Sequence, residues 1–357
     1  MEVLCGMGSV LALLCVLLTR YTRAGGTCIL FVVMWLLYLN LFLVGQTFLS
    51  FQWDILLLEA GGVAMFITPL NPSSNGRYGR TRMWLPRFIL FKLMLMSGVV
   101  KVTANCETWS NLTALTYHFA TQCIPTPLAF YFHHLPLLLQ KWSVAITLSL
   151  EGPMTFLLLS PFTVARVFGA YCQILLQLLI MATGNYNFFN LLTIALAVTC
   201  LHDGEDSTQH EKKPSSGIVM RSWRVIDNCA SAVLVLMCYN FSYMMFDHSG
   251  QGYEDIKLAI ATQDVNDFLK AALPPTVKIF FFAILPLHSL VDLVGDLKAN
   301  SNAFNLVWSV LKRAAILWMC LYYTGYEGNY MLLTCLCRDP LKQNHSFLSR
   351  TITHTHT

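Results

Sequence analysis

Ionisable side chains buried in apolar sequence are the first candidates for chemistry in this chain. Asp54, Glu59, Lys92, Lys101, Glu151 and Arg166 all lie in or at the ends of long hydrophobic runs. A charge at such depth is costly, so each is a functional candidate by default. Glu59 and Lys92, facing each other from neighbouring helices, would form an internal pair. Such a pair fixes helix register as readily as it carries a proton or a substrate. An enzyme or transporter would need Glu59, Lys92 and Glu151 to line one cavity. Lys101 and Arg166 stand near run ends, where long side chains can snorkel to the interface.

A second group occupies residues 104–138, which hold Cys106, His118, Cys123, His133 and His134. Metal binding would call for a Cys-x-x-Cys or His-x-x-x-His spacing, and neither is present. On an oxidising side of a membrane Cys106 and Cys123 could pair, which would stabilise the closed loop by roughly 3 kcal/mol. Two free thiols are the other possibility. Cys335 and Cys337 carry no redox assignment. A third group, Asn185, Asn187 and Asn190, follows Gly184 in a polar turn. Asparagines there would satisfy helix ends, and no base or nucleophile accompanies them. No Ser-His-Asp set, phosphate loop or zinc signature occurs, so no catalytic, cofactor-binding or metal-binding residue is assigned.

Apolar runs must position these residues. The chain is 55% hydrophobic and only 12% charged, with mean hydropathy +0.55. Soluble domains carry about 25% charged residues, so this chain has too few to cover a water-facing surface. The net charge of +4 is too small for a nucleic-acid binder, and no such partner is expected. Apolar runs lie near 4–18, 27–45, 53–70, 84–103, 139–160, 162–183, 186–201, 223–246, 276–296 and 306–326. They are too long and uniform for barrel strands. The expectation is an all-α polytopic transmembrane bundle of about ten helices, with eight to ten spans.

Charge sets the direction. Arg20 and Arg23, the four arginines Arg77, Arg80, Arg82 and Arg87, and the set Lys212, Lys213, Arg221 and Arg224 all fall on one side, which the positive-inside rule makes cytosolic. Residues 1–201 then form an N-terminal membrane half with a luminal loop at 104–138. Residues 202–222 are a cytosolic polar linker, 223–326 a second membrane half, and 327–357 a polar, disordered luminal tail. Sequons at Asn111 and Asn344 fall on the luminal side as glycosylation candidates, while the one at Asn240 lies inside an apolar run. Glu2 is the only charge before the first run, so no cleavable signal is expected.

Several motifs in order resemble the lipase maturation factor family. They are the stretch 44–59 with Gln52, Trp53, Asp54 and Glu59; the segment with Tyr117, His118, Gln122, Pro125 and Pro127; His134–Pro136; and the turn Asn185, Tyr186, Asn187, Phe188, Phe189 and Asn190. Cys123 with Pro125 and Pro127 is nearer the second branch of that family than the first. The resemblance implies a multi-pass protein of the endoplasmic reticulum membrane, a glycoprotein in contact with its lipid. It implies assistance to the folding and assembly of secreted lipase clients, without enzymatic activity or a cofactor. Oligomeric state is not implied. Relative to the family, the chain is expected to lack an N-terminal extension and a C-terminal luminal domain, and Ala120 stands where Glu is common.

Overall fold

The computed structural model describes residues 2–18, 24–49, 51–68, 80–104, 106–201, 218–247 and 256–268, with isolated positions 271, 307 and 310. The chain divides into two units, Met1–Asp267 and Phe268–Thr357. Helices and strands with defined bounds all lie in the first. In order these are α1 (Glu2–Leu18), α2 (Ala24–Gly45), α3 (Gln52–Ile67), α4 (Arg80–Thr103), α5 (Glu107–Ser110), α6 (Ala114–Thr121), α7 (Pro127–His133), α8 (Leu137–Glu151), α9 (Thr163–Thr183), α10 (Phe189–Val198) and α11 (Ile218–Met244), followed by β1 (Phe246–Asp247) and β2 (Lys257–Leu258).

The protein is an all-α polytopic membrane bundle. Each of the eight apolar runs before residue 250 carries a helix. Among the described residues, five stretches are long and apolar enough to cross a bilayer: Thr27–Gly45, Met83–Thr103, Leu137–Leu159, Thr163–Thr183 and Ser222–Met244. Helices α1, α3 and α10 have 17, 16 and 10 residues and fall short of the usual spanning length. The run at 276–296, nearly all of the run at 306–326, most of the linker and the tail with Asn344 lie outside the described residues.

Helix α4 is the axis of the bundle. Its residues Ile89, Leu90, Leu93 and Met94 are buried with Leu56 of α3, Leu158, Ala170 and Leu176 of the next segments, and Leu196 and Ala197 of α10. The outer helices are the opposite: only 11% of the spanning windows in α2 and α11 is buried. Apolar side chains left uncovered over such lengths are a lipid-facing surface.

The span Leu137–Leu159 is interrupted. Its α-helix ends at Glu151, and residues Pro153–Leu159 continue as a 3-10 helix. Pro153 has no amide hydrogen to donate back, and its ring would clash with the preceding turn, so the α-helix stops at Gly152. This break sits in the centre of the bundle, with Leu157 and Leu158 fully buried.

A second core closes one end of the bundle. Val102, Leu112, Ala114, Val144, Ala145 and Leu148 bury against Met245, Phe246 and Ile256. Residues 104–138 are therefore no open loop. They fold with the β1–β2 segment into a cap, whose strands pair antiparallel through Phe246–Leu258 and Asp247–Lys257.

Candidate functional site

The charges of the apolar runs are engaged with other side chains or with backbone. Lys92 Nζ lies 2.5 Å from Glu59 Oε1, joining α4 to α3. Nine residues further along α4, Lys101 Nζ binds Glu151 Oε2 on α8 and donates to Ser97 Oγ at 2.8 Å. Nine positions are two and a half turns, so the two lysines leave α4 on opposite faces. Glu59, Lys92 and Glu151 thus belong to two separated pairs and do not share one cavity. Gly98 makes the second contact possible: a Cβ there would meet the Glu151 carbonyl oxygen at 2.7 Å.

Two expectations about these cations are corrected. Lys101 does not snorkel but is held by Glu151 and lies 5.6 Å over the Trp109 ring. Arg166 does not snorkel either. It is buried, with Nε donating to the Cys200 carbonyl at 3.1 Å and Nη1 to the Ser160 carbonyl at 3.2 Å. The reason is that backbone groups in a membrane need a partner within the protein. The break after α8 and the end of α10 expose carbonyls there, and nearby long side chains satisfy them. Gln173 donates to the Leu150 carbonyl at 2.7 Å, Thr155 to the Gly152 carbonyl at 2.6 Å, and Arg87 to the Thr199 carbonyl through both Nε and Nη2. Asp54 is engaged as well: Tyr38 donates to its Oδ1 at 2.5 Å and the Phe51 amide to its Oδ2 at 3.3 Å.

Sequence reasoning missed several of these positions. Asp227 Oδ1 accepts from the Thr163 amide at 3.0 Å, and the Ala165 amide donates to Ser231 Oγ at 3.1 Å. Helix α11 thereby caps the start of α9, where Phe162 offers no side-chain oxygen. A detectable signal was there: Asp227 and Ser231 are four residues apart in an apolar run, hence on one helix face.

At the opposite end, two of the motif segments meet. Tyr186 Oη and His118 Nε2 lie 3.0 Å apart, with the two rings nearly parallel. Gln122 Nε2 donates to the Thr183 carbonyl at 2.7 Å, and Thr126 Oγ1 to the Ala182 carbonyl at 2.5 Å. Pro125 and Gly184 form an isolated antiparallel bridge. The polar residues of 117–127 thus dock the cap onto the end of α9. Burial, with the charge of Lys101 added, holds His118 below the ordinary histidine value. Burial raises the Tyr186 phenol, and the nearby Cys123 adds to it.

The remaining motif residues have varied surroundings. Gln52 and Trp53 open α3, with Trp53 stacked on Phe51 at 4.7 Å between centroids. Pro127 begins α7, where its missing amide hydrogen costs nothing. Asn187 has φ of 56° and donates its amide to Asn185 Oδ1 at 3.1 Å. Phe188 and Phe189 start α10, with the Phe189 amide donating to the Tyr186 carbonyl. Asn190 corrects the expectation that these asparagines satisfy helix ends. It is buried in the first turn of α10, and neither of its amide atoms has a hydrogen-bond partner. Its side chain turns into the bundle instead of back to the backbone.

Cys106 and Cys123 are not joined. Both are exposed free thiols, and Cys106 Sγ contacts Thr108 Oγ1 at 3.1 Å, which holds its thiol below the usual value. Cys106 precedes α5 and Cys123 follows α6. Asn111 is exposed at the C-terminal end of α5. His133 and His134 end α7 beside Phe130, and the described residues hold no cluster of metal-binding side chains.

Comparison with known proteins follows the same regions. Residues 1–208 match the model of the lipase maturation factor transmembrane domain. The chain is 40% identical over 300 residues to Lipase maturation factor 2 of Gallus gallus, covering 80% of this chain and 41% of that protein. It is 44% identical over 229 residues to Lipase maturation factor 2 of Xenopus laevis, covering 62% of this chain and 32% of the relative. Lipase maturation factor 1 of Mus musculus is 32% identical over 179 residues, 49% of this chain and 31% of that protein. The chain therefore spans less than half the length of these relatives and stands nearer factor 2 than factor 1. No solved structure matches. A matched transmembrane domain over more than half of the chain, on a bundle whose motif segments dock on one another, has one meaning: the chain belongs to the lipase maturation factor family.

Proposed function

We propose that this chain acts in the endoplasmic reticulum membrane as a folding factor for secreted lipases, assisting their assembly without catalysing a reaction on them. The match to the family's transmembrane domain carries the reading, and the relatives' names supply the role. The cap of residues 104–138 then faces the lumen, where clients fold. The arginine-rich ends and the linker 202–222 face the cytosol, residues 223–326 form the second membrane half, and 327–357 the luminal tail. Asn111, exposed on the cap, is the glycosylation site of this reading, with Asn344 a second one.

The alternative of a membrane enzyme or transporter finds less support. The three residues it needs, Glu59, Lys92 and Glu151, are neutralised in pairs on opposite faces of α4. The polar side chains Arg87, Thr155, Arg166 and Gln173 serve the helix break and the helix ends. The test is a knockout in lipase-secreting cells with this chain added back. Secreted active lipase falls while lipase transcript stays level, and re-expression restores it. Unchanged secreted activity in the knockout would sink the proposal.

A further inference from the structure

We propose that α7 is an interfacial anchor, with its outward face seated in the headgroup layer of the bilayer. Pro127, Phe130, Tyr131 and His134 follow the spacing i, i+3, i+4, i+7, so they form one stripe along the helix and its end. All four are exposed, Phe130 and Tyr131 to 64% and 68%. The inward side holds Ala129, which is 1% exposed, and Phe132, whose ring lies 5.9 Å from that of Phe119. A helix with its outer face in water shows the reverse pattern, polar outside.

The same cap supplies the contrast. The exposed positions of α5 and its flanks are Cys106, Glu107, Ser110 and Asn111, a wettable surface. Two adjacent exposed rings, Phe130 and Tyr131, lie on α7, while α6 exposes the single tyrosine Tyr117.

Continuity identifies the occupant as lipid. Only residues 134–136 separate α7 from α8, whose outward Leu139, Trp142 and Ile146 repeat the exposed stripe on a membrane span. On its other side α7 packs on α9, tied by Thr126 to the Ala182 carbonyl, and the last turns of α9 expose Leu178 and Leu179. Two lipid-facing surfaces thus flank the aromatic stripe at the point where both spans end. Tyr131 and His134 each pair an apolar ring with a polar tip, both of which the interface satisfies, and Phe130 adds a ring to the apolar side. A short helix lying in that layer buries its apolar face in the boundary between headgroups and acyl chains.

Photocross-linking in intact microsomes tests this. A benzophenone amino acid, close in shape to tyrosine, replaces residue 130 or 131 in the full chain, and residue 107 serves as the water-facing control. Irradiation is followed by mass spectrometry of the purified chain. The expected result is a phospholipid adduct at 130 and 131 and none at 107. Protein adducts at 130 and 131 without lipid would overturn the proposal in favour of a client-docking face. Absence of lipid adducts everywhere, or equal lipid yield at 107, would overturn it too. None of these outcomes depends on lipase maturation, so this proposal and the functional one fail separately.

Discussion

Two ion pairs on one helix show how differently a membrane bundle can house a charge. Lys92–Glu59 and Lys101–Glu151 are about 13 Å apart along α4, at 1.5 Å per residue. They leave it on opposite faces. The first is open: the side chains of Lys92 and Glu59 keep 21% and 34% of their surface. The second is sealed around the acid, since Glu151 keeps 4%. Glu151 lies at the last turn of α8, just before the break, with Gly98 of α4 against its backbone. The sealed pair is therefore tied to the close approach of two helices, whereas the open pair bridges α3 and α4 across a looser contact. A buried pair is not by itself a source of stability, but losing one partner of it strands a charge.

That difference orders the expected effects. Lys101→Met should be the most damaging, because Glu151 is short and enclosed and cannot reach water. The expected loss is about 3–5 kcal/mol, read as a lower temperature for loss of the monodisperse peak in detergent. Adding Glu151→Gln to the same chain should recover most of it, since no stranded charge remains. A double variant as unstable as the single one would show that the pair contributes through geometry and not through charge balance.

Glu59→Gln should cost less, about 2 kcal/mol, the scale of one hydrogen bond to a charged group. The long Lys92 stem can carry its ammonium out through the open side. A loss as large as that of Lys101→Met would mean that this side faces hydrocarbon with no escape route. Ser231→Ala, which removes a cap on α9 and no charge, should cost about 1 kcal/mol, measured by the same assay. It serves as the scale for an uncharged polar contact in this bundle.

The smallest effect expected is on pH. His118 titrates below its ordinary value of 6.5 in the folded state. The unfolded chain therefore binds the proton more readily, and the linkage sign follows. Above 6.5 the group contributes no pH dependence. As pH falls from 6.5 towards the lower folded value, stability falls, and below that value the loss levels off. Melting measured from neutral to acid pH should show this slope, and His118→Phe should flatten it. An unchanged slope in the variant would place the sensitive group elsewhere.

Much of the site is legible in the residues themselves. Glu59 and Lys92 are rare charges in adjacent apolar runs, so few partners are available to either. Lys101 and Glu151 are equally visible as residues, but fifty positions separate them, and nothing in the spacing says that α8 ends against α4. Snorkelling is a sound inference for Arg166 from its place at a run end. It fails because the 3-10 segment ends at Leu159 and α10 ends at Val198, leaving the Ser160 and Cys200 carbonyls that an enclosed guanidinium satisfies. The segments 117–127 and 184–190 stand out separately by their polar residues. Their docking through Gln122, Thr126 and Tyr186 is a contact between distant stretches.

Sequence alone determined that the chain lives in a membrane as helices, because a chain with so few charges has no other solvent and lipid leaves the backbone no other form. It also determined the family, through motifs kept in order along the chain. Tertiary structure decided which charges meet, that residues 104–138 fold as a cap with β1 and β2, and that buried polar side chains serve a helix break. Those outcomes depend on which helix faces come together. Helical periodicity tells which residues share a face, but only packing chooses the neighbour that the face meets.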